Sequence, residues 1–153
     1  MFFSKTCEYA FRAVVEIASA SRHGNRLTMP VIAERIEAPQ AFTAKVLQNL
    51  ARSGVILSQR GPSGGFGMPP ELAAQVNLRK VMRAIGEDVD RKACVMGLRQ
   101  CGVDEPCPLH DQFVGMKDEM VRILCTTYVS NLVDDLEADR SARTSKELIA
   151  TLI

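Results

Sequence analysis

The segment Cys94–His110, CVMGLRQCGVDEPCPLH, constrains this chain more than any other. Six residues separate Cys94 from Cys101, five separate Cys101 from Cys107, and two separate Cys107 from His110. Three of the five cysteines and one of the two histidines therefore fall in one short stretch. Gly97, Gly102, Pro106 and Pro108 forbid a continuous helix or a central strand there, so the side chains sit on an irregular loop that something must hold. A metal ion or a metal cluster is the obvious holder.

Thiolates select soft or borderline metals, which leaves zinc and iron–sulfur clusters as candidates. Structural zinc sites usually clamp the ion with close ligand pairs, and only Cys107 and His110 have such spacing. The wider gaps around Cys94 and Cys101 suit ligands that reach around a larger inorganic core, so a cluster is favoured over zinc. Lys5, Glu8 and Arg12 interrupt any secretory apolar run near the N-terminus, and no stretch approaches the length of a membrane span. A cytosolic protein is expected, where clustered cysteines more often bind metal than form disulfides.

The net charge of +1 hides a division along the chain. Residues 1–92 carry 13 Lys/Arg against 8 Asp/Glu, whereas residues 93–153 carry 6 against 10. A basic front and an acidic back suit a protein whose first part meets a polyanion.

That first part has a recognisable order. From Ser4 to about Ser21, Ala10, Ala13, Val14, Ile17 and Ala18 recur at helical spacing, and His23-Gly24-Asn25 ends the helix. A second helix starts after Thr28 as N-cap, with Pro30 in its first turn, and closes at Glu37-Ala38-Pro39. A third follows from Gln40 to Ser53, capped by Gly54, and the pair has the outline of a helix-turn-helix. On the third helix Lys45, Gln48, Asn49 and Arg52 share one face at i, i+3, i+4 and i+7, with no acidic residue among them. These side-chain types donate to phosphates and base edges.

After Gly54 the period changes. Val55–Arg60 reads as a strand, Gly61–Gly65 as a turn and Phe66–Met68 as a returning strand, stopped by Pro69-Pro70. A hairpin placed straight after a helix-turn-helix is a wing. Its Arg60, Ser63 and Gly64 join Thr43, Lys45, Gln48, Asn49 and Arg52 as candidate DNA contacts. The glycine-rich turn lacks the strand–loop–helix setting and the lysine of a phosphate-binding loop, which excludes that reading.

Asn77 caps a short helix through Leu78, Val81, Met82 and Ile85, stopped by Gly86. Beyond the cysteines, the spacing predicts one long helix from Asp111 to about Asp139, roughly 40 Å long at 1.5 Å per residue. That exceeds what so small a domain covers, so packing against a second copy is expected. The tail from Arg140 to Ile153 adds at most a short final helix. Cys125 reads as a buried thiol on the long helix. A cysteine nucleophile is excluded because His23 lies in a turn with no visible acidic partner and no substrate site is apparent.

Four stretches together carry a resemblance. They are Leu50-Ala51-Arg52-Ser53-Gly54-Val55-Ile56, Arg60-Gly61-Pro62-Ser63-Gly64-Gly65-Phe66, Glu8-Tyr9-Ala10-Phe11-Arg12-Ala13 and Cys107-Pro108-Leu109-His110. The chain resembles the Rrf2 family of bacterial winged-helix regulators from its first residues to about Asp139. The resemblance implies a homodimer on pseudo-palindromic double-stranded operator DNA. It also implies that Cys94, Cys101 and Cys107 hold an iron–sulfur cluster, two-iron and four-iron forms both remaining open, whose state changes operator affinity. In IscR-like members a histidine matching His110 is the fourth ligand. In NsrR-like members it is an acidic residue of the partner's first helix, matching Glu8. This chain has both residues, one extra residue between the first two cysteines, and Cys7 beside Glu8.

The expected architecture is mainly α with a small β-hairpin. A winged helix-turn-helix domain spans 1–86, a cysteine-rich cluster-binding loop 87–110, and a dimerisation helix with a C-terminal tail 111–153. The expected function is a non-enzymatic transcriptional regulator sensing iron, redox state or nitric oxide. The alternative is a constitutive DNA binder with structural zinc or an empty loop.

Overall fold

A computed structural model describes residues 3–90, 93–97 and 107–151, with side chains through residue 140. Most of the described elements pack around the first helix, α1 (Lys5–Arg22). The Ser4 hydroxyl caps it by accepting the Cys7 N–H at 3.0 Å. Its buried face, Cys7, Ala10, Ala13, Val14, Ile17 and Ala18, is rich in small side chains, so neighbouring helices can approach closely.

The next two helices, α2 (Met29–Arg35) and α3 (Gln40–Arg52), both lie against α1. Thr28 occupies the N-cap position of α2, but its side chain makes no capping hydrogen bond. The turn between the two helices passes through Glu37 at φ 53°, and Ala38 N–H returns to the Ala33 carbonyl at 2.9 Å. At the end of α3, Gly54 at φ 70° turns the chain so that Val55 N–H reaches the Leu50 carbonyl at 2.9 Å.

The hairpin is shorter than its sequence pattern predicts. Strands β1 (Leu57–Gln59) and β2 (Gly65–Gly67) pair antiparallel, with Ser58 opposite Phe66. Val55 and Ile56 instead turn inward to the helical core, and Met68 N–H donates to the Ser21 hydroxyl at 2.8 Å. Leu27 extends the hairpin by exchanging two backbone hydrogen bonds with Phe66, at 3.1 and 2.8 Å. Pro69-Pro70 does end the strand, yet Pro70 also opens a single helical turn, α4 (Pro70–Ala73), because a proline fits the first turn of a helix.

Helix α5 (Leu78–Ala84) is capped by Asn77, whose side-chain oxygen accepts Lys80 N–H at 3.0 Å. The single long helix predicted from Asp111 is two helices, α6 (His110–Thr126) and α7 (Val129–Thr151). The break has a long-range cause. Leu78 N–H donates to the Thr127 carbonyl at 3.0 Å and Val129 N–H to the Val76 carbonyl at 2.9 Å, holding Thr127 and Tyr128 out of the helix beside the entry to α5. Thr126, Thr127 and Val129 are β-branched and give little helical resistance. Helix α7 then folds back on α1 and α4, burying Val129 and Val133, and runs on to Thr151 without a separate final helix.

Asn77 also donates to the Cys125 carbonyl at 3.0 Å, so one side chain caps α5 and ties it to α6. Asn77→Ala should lower unfolding free energy by about 2 kcal/mol in chemical denaturation. Asp88 takes Arg79 at 2.9 Å and Arg83 at 2.8 Å, and these guanidiniums, Arg79 first, lower its carboxyl from the usual 3.8 to about 2. A lowered carboxylate contributes stability that is complete above its unfolded value and is lost as pH falls through the folded one. Between about pH 4 and pH 2 the wild-type chain should lose stability more steeply than Asp88→Asn in pH-dependent denaturation.

Candidate functional site

Two regions carry the chemistry. The first is the exposed side of α3 with the wing. Lys45, Gln48 and Arg52 are exposed and Asn49 is half-buried, while Val46, Leu47 and Leu50 go into the core. Thr43 is placed differently from its neighbours. It is fully buried, and its hydroxyl donates to the Pro39 carbonyl at 3.0 Å, so it fixes the first turn of α3 rather than lying on the open face. At the wing, Arg60 and Ser63 are exposed. Gly64 N–H closes the tip onto the Gly61 carbonyl at 2.9 Å, and Gly65 at φ 129° runs so close to Leu27 that an added Cβ would stand 2.7 Å from the Leu27 carbonyl oxygen. The tight tip therefore depends on glycine.

Charge is distributed unevenly. Arg22, Arg35, Arg79, Arg83, Arg122 and Arg140 all meet carboxylates. Lys45, Arg52 and Arg60 meet none among the described residues. Cations left open on one helix and one hairpin tip form a surface suited to an external polyanion.

The second region is the cysteine segment. Cys94 is half-buried and Cys107 buried, neither in a disulfide, and Cys107 belongs to neither apolar core cluster. His110 opens α6, with its N–H on the Cys107 carbonyl at 2.9 Å. Cys101 lies outside the described residues. Among the described residues no three metal-ligating side chains come together. The donors present, two uncrosslinked thiols and an imidazole, are of the kind a thiolate-ligated group requires.

Glu8, the other candidate ligand, sits in the first turn of α1 and pairs with Lys5 at 2.6 Å. Its neighbour Cys7 is fully buried, and burial, then Glu87 and Glu8, push that thiol up to about 12, which makes it a poor ligand and nucleophile. Cys125 is only half-buried, with the Arg79 guanidinium 3.8 Å from its sulfur. His23 does have an acidic neighbour, since Glu137 Oε1 on α7 lies 3.4 Å from its Nε2. That pairing spans most of the chain, so no local pattern announces it.

The segment and the reading domain are joined at the start of α1. The Ser4 hydroxyl donates to Glu87, and Phe3, Cys7, Phe11, Met82 and Val89 form one apolar cluster with Leu124 of α6. Lys117 of α6 holds the Ala93 carbonyl immediately before Cys94. Local sequence patterns predict none of these ties, which link residues distant along the chain.

The description of one family, Rrf2, iron-dependent transcriptional regulator, matches residues 3–135. The HTH-type transcriptional regulator IscR of Cronobacter sakazakii is 27% identical over 129 residues, covering 84% of this chain and 78% of that protein. Among solved structures, CymR, the global cysteine regulator of B. subtilis, superposes with a TM-score of 0.69 at 15% identity, covering 88% of this chain and 97% of that one. IscR of T. potens gives 0.68 at 15% identity, covering 91% and 90%. These last two likenesses concern the fold. The match over residues 3–135, carried by a winged helix-turn-helix of this form, places the chain in the Rrf2 family, as a transcriptional regulator and not an enzyme.

Proposed function

We propose that this regulator binds double-stranded operator DNA as a cytoplasmic homodimer, through α3 and the wing, and that its cysteine segment carries an iron–sulfur cluster. The observation that carries the DNA reading is the open cationic face. Lys45, Gln48, Asn49 and Arg52 stand on one side of a helix with no ion-paired carboxylate among the described residues, beside Arg60, Ser63 and the backbone of Gly64. Phosphate contacts from the lysine and arginines position the helix, and Gln48 and Asn49 are of the type that reads base edges.

Support for the homodimer comes from α6, not from helix length. Met116 and Ile123 are 42% and 46% exposed, and with Phe3, Phe11 and Met120 they border an apolar groove of about 470 Å³. A second copy meeting this groove would cover surface that water otherwise wets. Two recognition helices then need a separation of about 34 Å to enter successive major grooves.

Cys94, Cys101 and Cys107 would hold the cluster, with His110 or Glu8 of the partner subunit as the fourth ligand. Such a group would supply a centre responsive to iron, redox state or nitric oxide. The chain's own part is mechanical. Lys117 and Glu87 anchor the start of the segment to α6 and to α1, so its arrangement bears on the helix against which α3 packs. No helix among the described residues is long and apolar enough to cross a membrane.

The second reading is constitutive DNA binding with structural zinc, for which Cys107 and His110 have the close spacing of a ligand pair. Protein purified without oxygen separates the two, because iron with acid-labile sulfide supports the cluster whereas stoichiometric zinc in colourless protein supports the alternative. Lys45→Ala or Arg52→Ala should weaken operator retardation roughly tenfold, and each should reduce the salt slope of binding by about 1. Unchanged retardation in both variants would remove α3 as the reading helix.

A further inference from the structure

The open side of α3 is wider than the face that residue spacing marks. Gln40, Ala41, Ala44, Lys45, Gln48 and Arg52 are all exposed, whereas Asn49 is half-buried. The stripe therefore reaches the first residue of the helix, Gln40, and passes over two alanines on the way to Gln48. In a helix-turn-helix the first residues of the second helix are the ones that meet base edges. Thr43 fixes that turn from inside, through its hydroxyl on the Pro39 carbonyl at 3.0 Å.

Two carboxamides on this stripe, Gln40 and Gln48, have no hydrogen-bond partner among the described residues. Gln40 is set apart from the cations by its surroundings. It lines a shallow cleft together with Glu34 and Glu37, whose carboxylates disfavour an anionic phosphate there. A base edge that presents an amino group is not repelled in this way. A carboxamide offers an acceptor and a donor side by side, and in the major groove adenine matches it with N6–H and N7. Guanine presents two acceptors, which suit Lys45 or Arg52, and cytosine presents a donor alone. The exposed methyl groups of Ala41 and Ala44 suit the methyl of thymine, the partner of adenine.

We propose, resting on the assignment of α3 to DNA, that Gln40 is a specificity-determining residue that pairs its carboxamide with an adenine edge, and that Gln48 does the same further along the groove. Eight residues at about 1.5 Å each separate the two amides by about 12 Å, which is roughly three to four base pairs at about 3.4 Å per step. Each half-site then carries two A·T pairs at that separation. Ala41 and Ala44, lying between the amides along the helix, let its backbone approach the groove floor and face thymine methyls.

Selection by the full chain from a pool of duplexes randomised over about two helical turns tests this. Wild type should enrich a motif whose halves each hold two A·T pairs roughly three to four base pairs apart. Gln40→Ala should lose the preference at one of them and keep the other, and Gln48→Ala should do the reverse. Gln40→Glu should turn the first position toward cytosine, a change that an unfolded variant cannot produce. On the best wild-type duplex Gln40→Ala should bind about tenfold more weakly with its salt slope unchanged, because a base contact releases no counterions. An identical motif from Gln40→Ala, or an equal loss on selected and unselected duplexes, would overturn the role of Gln40 while leaving α3 as the reading helix. No enrichment by wild type would overturn both.

Discussion

The alanine-rich face of α1 is the contact on which the rest depends. Ala10, Ala13 and Ala18 leave room for neighbouring backbones, and Val14 and Ile17 fill the space between them. Complete burial of a side chain such as Ile17 contributes about 2–3 kcal/mol, but the geometric effect is larger in consequence. Helices α2, α3, α4, α5 and α7 and strand β2 all find their places against this one element. A bulky substitution at Ala13 would displace several elements together, because a close-packed interior cannot absorb extra volume locally.

That arrangement puts two distant parts of the sequence on a common support. Helix α3 packs on α1, while the Ser4 to Glu87 hydrogen bond and the cluster around Cys7 fasten the approach to the cysteines onto the first turns of α1. The division of charge follows the same plan. Arginines of the scaffold such as Arg22, Arg35, Arg79 and Arg83 are matched with carboxylates, pairs that are partly exposed and individually contribute little to stability. Those of α3 and the wing are left open, so cationic field is concentrated on one surface.

Much of this was legible in the sequence because local physics specifies it. Helical spacing located α1 and α3, Gly54 marked the end of α3, Asn77 marked the start of α5, and the glycines after Arg60 marked the hairpin tip. The missed features share a long-range cause. Apolar periodicity ran smoothly through Thr127, and only the pairing of residues 127–129 with 76–78 turns one helix into two. Thr43 shares the polarity of its neighbours, but its angular position takes it inside. His23 gained an acidic neighbour only when α7 folded back. The cysteine spacing still speaks to metal chemistry through residue type, although Cys101 lies outside the described residues and the candidate ligands Glu8 and His110 occupy different helices.

If the cysteine segment carries the proposed cluster, its state should be felt, through α1, by the surface proposed to hold DNA. Operator affinity of protein prepared without oxygen, titrated before and after treatment with an iron chelator at fixed salt, measures this directly. The two dissociation constants should differ by about fivefold or more. Equal constants for iron-loaded and iron-free protein would contradict it.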